Sequence, residues 1–166
     1  MRAAAGRFHG ILLENKQANI YNNPYGRRVT FCVVDLDRDG KDEICIVYAT
    51  GDILILHEID GRIYGYEHGF RAFNPAYTDG TFAGSSGASY SEFYGNVSFT
   101  KDEFRYEGIT GIERDNDGNA TYYKNGTYYT GVETSKEEYD QIMSQYEKNE
   151  VEYYDFTIEN ILEYVK

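Results

Sequence analysis

The stretch VTFCVVDLDRDGKDEICIVYATGDILILHEIDGRIYGYE, Val29 to Glu67, sets β-branched apolar runs between short acidic or glycine-bearing breaks. Each run is too short for a helix, and Val, Ile and Phe suit a pleated surface, so the pattern predicts strands at about 29–34, 43–49, 52–59 and 62–67. Thr50-Gly51 and Asp60-Gly61 read as two-residue hairpin turns. With those turns Tyr48 faces Ile53 and Ile46 faces Ile55, while His57 faces Tyr64 and Ile55 faces Tyr66. One face then carries Phe31, Val33, Ile44, Ile46, Tyr48, Ile53, Ile55 and Ile59, and the other carries Val34, Val47, Leu54 and Leu56. A sheet apolar on both sides has to be covered on both.

Upstream, Ala4, Phe8, Ile11 and Leu12 share one side of a helix spanning about residues 3 to 18, broken by the turn-forming cluster from Asn22 to Gly26. Downstream, residues 74 to 95 are rich in Gly, Ser and Ala and read as a long surface loop. Further strands are expected at about 97–100, 104–113, 119–124 and 127–132, with turns at Asp117-Gly118 and Asn125-Gly126. The last of these sets Tyr123 opposite Tyr128 and Tyr122 opposite Tyr129. Ser135 to Glu138 forms a capping box before a helix with Tyr139, Ile142, Met143 and Tyr146 on one face. A last helix follows Thr157, with Ile158, Ile161, Leu162 and Val165 aligned. The expectation is therefore α+β: one domain over residues 1–166, an antiparallel meander with an N-terminal helix and two C-terminal helices.

Composition narrows the function classes. The 166 residues hold 28 acidic against 16 basic side chains, a formal charge of −12. Phosphate backbones are gripped by clustered Lys and Arg, so nucleic acid is excluded as the expected partner, and anionic membrane surfaces are disfavoured for the same reason. Eighteen tyrosines and nine phenylalanines supply more aromatic surface than a disordered chain carries. The longest aliphatic run, Ile53 to Leu56, is far below the roughly 18 residues of a membrane span, so no membrane insertion is expected. Met1 to Gly10 lacks the apolar core of a signal peptide. A processed secreted chain and a cytoplasmic one could both begin this way.

Chemistry concentrates in Asp35-Leu-Asp37-Arg-Asp39-Gly40-Lys41-Asp-Glu43, between the first two strands. Carboxylates at positions 1, 3 and 5 converge when the chain curls, and glycine at position 6 permits the bend that brings position 7 round as a carbonyl. Oxygen donors favour a hard cation, and calcium accepts their number and flexibility better than magnesium. Position 12 is Ile46, so the loop is not an EF-hand, whose bidentate Glu stands there; Glu43 at position 9 is the substitute. The pattern is similar to the calcium loops of FG-GAP and VCBS repeats, which are framed by strands. That resemblance implies Asp35, Asp37, Asp39 and Glu43 as side-chain ligands and Lys41 as a carbonyl ligand of one structural Ca2+. It spans about fifteen residues and occurs once, so it carries no propeller with it. Arg38 departs from the glycine usual in such loops.

Over most of the chain, the order of a short N-terminal helix, the segment Phe31 to Ile44, a Tyr-Tyr-Lys-Asn-Gly hairpin, Thr134 to Tyr139 and a closing Glu159-Asn-Ile helix resembles uncharacterised secreted or lipid-anchored proteins of Gram-positive gut bacteria. The resemblance implies an extracellular or cell-surface address and no known activity.

Other signals are weaker. The segment Glu113 to Asn119 imitates the acidic loop but completes neither reading frame and is expected to be a plain turn. Cys32 and Cys45 face each other if Val34 pairs with Glu43, which permits a bridge closing 14 residues; buried reduced thiols are the preferred reading, because cross-strand bridges are uncommon. His9, His57 and His68 show no zinc spacing, and the Ser-rich Gly84 to Ser89 lacks a nucleophile elbow. Tyr77, Tyr90 and Tyr94 in the Gly/Ser-rich stretch resemble an adaptable recognition surface. The functional expectation is a non-catalytic, calcium-stabilised binding or structural module whose ligand is a glycan or a protein. The alternative is a small carboxylate-based hydrolase with structural calcium.

Overall fold

The computed structural model describes residues 29–69, 76–86, 91–146 and 149–165. Ten strands form two antiparallel five-stranded sheets. The first takes β1 (Thr30–Val34), β2 (Glu43–Val47), β3 (Ile53–Ile59), β4 (Arg62–His68) and β10 (Tyr154–Asp155), in the order β10-β1-β2-β3-β4. The second runs in sequence order through β5 (Phe82–Ser86), β6 (Ser91–Phe99), β7 (Phe104–Arg114), β8 (Ala120–Lys124) and β9 (Val132–Thr134). Only two short helices stand among the described residues, α1 (Lys136–Met143) and α2 (Ile158–Tyr164). The α+β expectation is thus corrected to a predominantly antiparallel β architecture of two sheets with two short helices near the C-terminal end. The helix expected near residues 3 to 18 lies outside the described residues.

The first sheet is apolar on both faces, as its sequence requires, and each face has its own cover. Cys32, Val34, Cys45, Ile53 and Ile55 pack with Phe82, Phe93 and Val97 of the second sheet. Phe31, Ile44, Ile46 and Leu56 pack with Phe156, Ile161 and Val165, so the C-terminal segment and α2 close the other side. Cys32 pairs with Cys45 across β1 and β2, and both are buried free thiols.

The membership of these faces differs from the sequence expectation because of one turn. The amide of Tyr48 donates to the Asp52 carbonyl at 2.8 Å and that of Gly51 donates to the Tyr48 carbonyl at 2.8 Å, with Gly51 at φ +91°. This is a three-residue loop with a left-handed glycine, not a two-residue turn. The partner of Ile46 is therefore Leu54, and that of Cys45 is Ile55. A shift of one residue exchanges the two faces of a strand, so Ile53 and Ile55 join the cysteines rather than Phe31. The Asp60-Gly61 turn does have two residues, both left-handed (φ +50° and +76°), and sets His57 opposite Tyr64. A Gly51→Ala substitution forces an L side chain into the left-handed region and is expected to cost about 1–2 kcal/mol, read as a lower denaturant midpoint at constant slope. An unmoved midpoint would contradict the turn geometry.

The long loop expected over 74 to 95 is replaced over much of its length by strands. Residues from Phe82 to Ser86 pair with Ser91 to Gly95, and Phe82 is fully buried. Small residues there serve close packing: a Cβ on Gly95 would stand 2.7 Å from the Glu107 carbonyl oxygen and 3.3 Å from the Phe82 ring. The tyrosine ladder is also absent, because Lys124 pairs with Val132 and Tyr122 with Thr134. The connection instead folds on itself, with the Gly131 amide donating to the Thr127 carbonyl at 2.6 Å. Half of the capping box forms. Ser135 Oγ accepts the Glu138 amide at 3.2 Å, whereas the Glu138 carboxylate turns to Lys124 Nζ at 2.7 Å and to Thr134.

Two phenols, one buried and one partly buried, give this fold an alkaline limit. Burial pushes the Tyr94 phenol up to about 12, and burial, with Cys32 beside it, also raises that of Tyr153. A phenol raised in the folded state contributes stability fully below its unfolded pKa, about 10, and loses it as pH climbs past that value, where only the unfolded chain ionises. Stability is expected to fall between pH 10 and 12, and Tyr153→Phe to flatten that fall in denaturant titrations. An identical pH profile in the variant would contradict it.

Candidate metal centre

The acidic loop joins β1 to β2 at the mouth of the sandwich. Its curl is fixed by its own carboxylates: Asp35 Oδ2 accepts the Gly40 amide at 3.0 Å, Asp37 Oδ1 the Asp39 amide at 3.2 Å, and Asp39 Oδ1 the Lys41 amide at 2.8 Å. Gly40 sits at φ +86° and Arg38 at φ +62°. Glycine is the easy residue at such an angle, which explains why Arg38 is unusual there. Its guanidinium is held outside the loop, Nε donating to the Asp79 carbonyl at 2.8 Å and Nη2 to Asn96 Oδ1 at 3.0 Å on β6. The loop is thereby tied to the second sheet. Gly80 presses on it from behind, where a Cβ would come within 2.7 Å of the Asp35 carbonyl oxygen.

Asp35, Asp37 and Asp39 each offer an oxygen within 4.8 Å of the others. Asp37, Glu43 and His57 form a second group with the same spacing, so Asp37 joins the two. Asp35 Oδ1 is buried and has no hydrogen-bond partner. An orphaned carboxylate oxygen is costly unless a proton donor or a cation meets it.

Glu43 is fully buried. Its Oε2 accepts the Leu36 amide at 2.8 Å, and its Oε1 lies 2.7 Å from Nδ1 of the buried His57. Burial raises the Glu43 carboxyl, against the hydrogen bonds from His57 and Leu36. Burial alone would lower His57, but the bond to Glu43 and the field of Glu43, Asp37 and Asp39 carry it above its ordinary value. Both shifts favour keeping a proton on the pair. Asp37 is raised too, by burial first and by Asp39 and Asp35 among the remaining causes. On the far side, the His57 ring stacks on Phe99 of the second sheet, centroids 4.4 Å apart.

The structure thus brings Asp35, Asp37 and Asp39 together and adjoins Glu43 through Asp37. Lys41 belongs to the loop, its ammonium 3.7 Å from Asp39 Oδ2. His57 is the member that sequence reasoning missed. With Ile44 opposite Leu56, the register continues to set Glu43 against His57; a two-residue Thr50-Gly51 turn would have set it against Glu58. The signal that could have found it is Gly51 placed third in a three-residue loop. The imitation loop at Asp115 is a turn of the same kind, with Asp115 and Asn119 exchanging backbone contact and Gly118 at φ +85°. Its Asp115 carboxylate is filled by Asn119 and the Asp117 amide.

Family models, curated proteins and solved structures yield no match to this chain. The functional reading therefore rests on the chemistry of the loop. Among the described residues no helix is long and apolar enough to cross a membrane.

Proposed function

We propose that this chain is a non-catalytic extracellular binding or structural module, braced by one calcium ion in the loop of residues 35–43, with a glycan or a protein as its ligand. The observation that carries the calcium reading is the buried, unpartnered Oδ1 of Asp35, a residue that offers an oxygen within 4.8 Å of oxygens of Asp37 and Asp39. Asp35, Asp37, Asp39 and Glu43 would hold the ion with the Lys41 carbonyl, and a divalent charge there would offset the repulsion of carboxylates gathered in nine residues. The donors are hard oxygens, and their number suits calcium above magnesium. Extracellular modules bind calcium at about 0.1–1 mM, where the surrounding fluid fills them. The ion's role is structural: the loop spans from the first sheet to Asn96 of the second.

A hydrolase reading has less to support it. Among the described residues, the carboxyls raised above their ordinary range are Asp37, Asp42 and Glu43, all within the acidic loop, each raised chiefly by burial. Catalytic acids need such tuning inside a substrate cleft. Calorimetric titration of chelator-treated protein tests the proposal. One calcium should bind per chain, more tightly than magnesium, and Asp35→Asn should remove the binding. No uptake at calcium concentrations of order 10 mM would overturn it.

A further inference from the structure

A cleft of about 460 Å³ opens between α1, strands β5 and β6, and the segment around Tyr77, on the opposite side of the second sheet from much of its core. Its walls include Tyr77, Tyr94, Tyr139 and Met143, and its carboxylates are Glu92 and Glu150. The rings of Tyr77 and Tyr94 lie 5.4 Å apart. Among the described residues, no Lys or Arg lines it. The volume is within the range of small-ligand sites, roughly 300–1,000 Å³.

We infer that this cleft binds an alkylammonium cation, its methylenes lying along the tyrosine and methionine walls and its charge meeting Glu92 and Glu150. Aromatic faces attract cations through their quadrupole, and carboxylates form charge-assisted hydrogen bonds with ammonium groups. An anion would meet two carboxylates with no countercharge among the described lining residues, on a chain of net charge −12. A neutral sugar could stack on the rings and donate hydroxyls to the carboxylates, but it gains neither ion pairing nor cation–π attraction. The field of the carboxylates reaches the rings: after burial, Glu150 and Glu92 are among the causes that raise the Tyr77 phenol, and Glu92 follows burial as a cause raising Tyr139, against a weaker opposing field from Arg114, which is not among the lining residues. The inference rests on the binding-module reading and departs from it in one respect, taking a cationic ligand in place of a neutral glycan. Two sources offer that chemistry, a free diamine and the lysine side chain of a partner protein.

The test is calorimetric titration of the calcium-loaded full chain with putrescine, with N-acetyl-lysine methylamide and with neutral 1,4-butanediol, whose length matches putrescine. Saturable binding of the cations, weakened by salt and absent for butanediol, is the expected result. Glu92→Gln and Glu150→Gln should each weaken it by about tenfold, and Tyr139→Leu by about fivefold. Putrescine binding at least about tenfold tighter than the lysine analogue points to a diamine spanning both carboxylates; equal affinities point to a lysine side chain. Equal binding of butanediol, unchanged affinity in a folded Glu92→Gln/Glu150→Gln variant, or no binding of either cation at about 10 mM overturns the inference. Calcium uptake by the 35–43 loop is measured separately, so the two readings can fail independently.

Discussion

Excess chelator is expected to lower the melting temperature of this protein, and calcium to restore it. At a free concentration about 100-fold above the dissociation constant, binding adds about 2.7 kcal/mol. For a domain of this size that corresponds to roughly 5–10 °C. A variant makes the result diagnostic. Asp37 stands beside both Asp35 and Asp39, so Asp37→Asn removes repulsion when no ion is bound and removes a ligand when one is. In chelator the variant should melt at or above the parent; in calcium it should melt well below it. If the variant ranks the same way under both conditions, the ion does not sit at Asp37. Guanidinium unfolding with calcium present checks the same crossing in free energy.

Phe82→Ala should be among the most damaging single core substitutions outside the loop. The ring is fully buried, contacts Phe93 edge-on with centroids 5.8 Å apart, and sits in the core shared by the two sheets. Truncating such a ring costs about 3–5 kcal/mol, from lost transfer energy and the cavity left behind. Were residues 74 to 95 a surface loop, the cost would be a few tenths of a kcal/mol. Equilibrium unfolding in urea separates the two outcomes widely. Phe82→Leu should recover part of the loss, since it refills much of the volume.

The parts of the fold set by local pattern were readable in the sequence. The four strands from Thr30 to His68, the pairing of Cys32 with Cys45 and the Asp60-Gly61 turn follow from alternation and turn chemistry, and all are found. What escaped depended on distant partners. Gly95 looks like a loop residue because its smallness is a tertiary requirement, met only when β5, β6 and β7 lie side by side. Asn125-Gly126 looks like a tight turn, yet the chain continues to Gly131 before pairing. At the acidic loop, spacing singled out Asp35, Asp37 and Asp39, whose oxygens do lie together, and put Glu43 at the ninth position. It could not reveal that both oxygens of Glu43 already have partners in Leu36 and His57, because that depends on the register of β3. The same spacing hid the Arg38 clamp, whose acceptors lie 41 and 58 residues away.

The odd number of residues between Tyr48 and Asp52 has an evolutionary consequence. Swapping the identity of Thr50 leaves the path of the ribbon intact, whereas deleting it would turn β3 inside out, sending Leu54 and Leu56 towards the second sheet and His57 away from Glu43. Drift at this tip is therefore expected to be free in letters and frozen in length, with any inserted or lost codon compensated nearby by another.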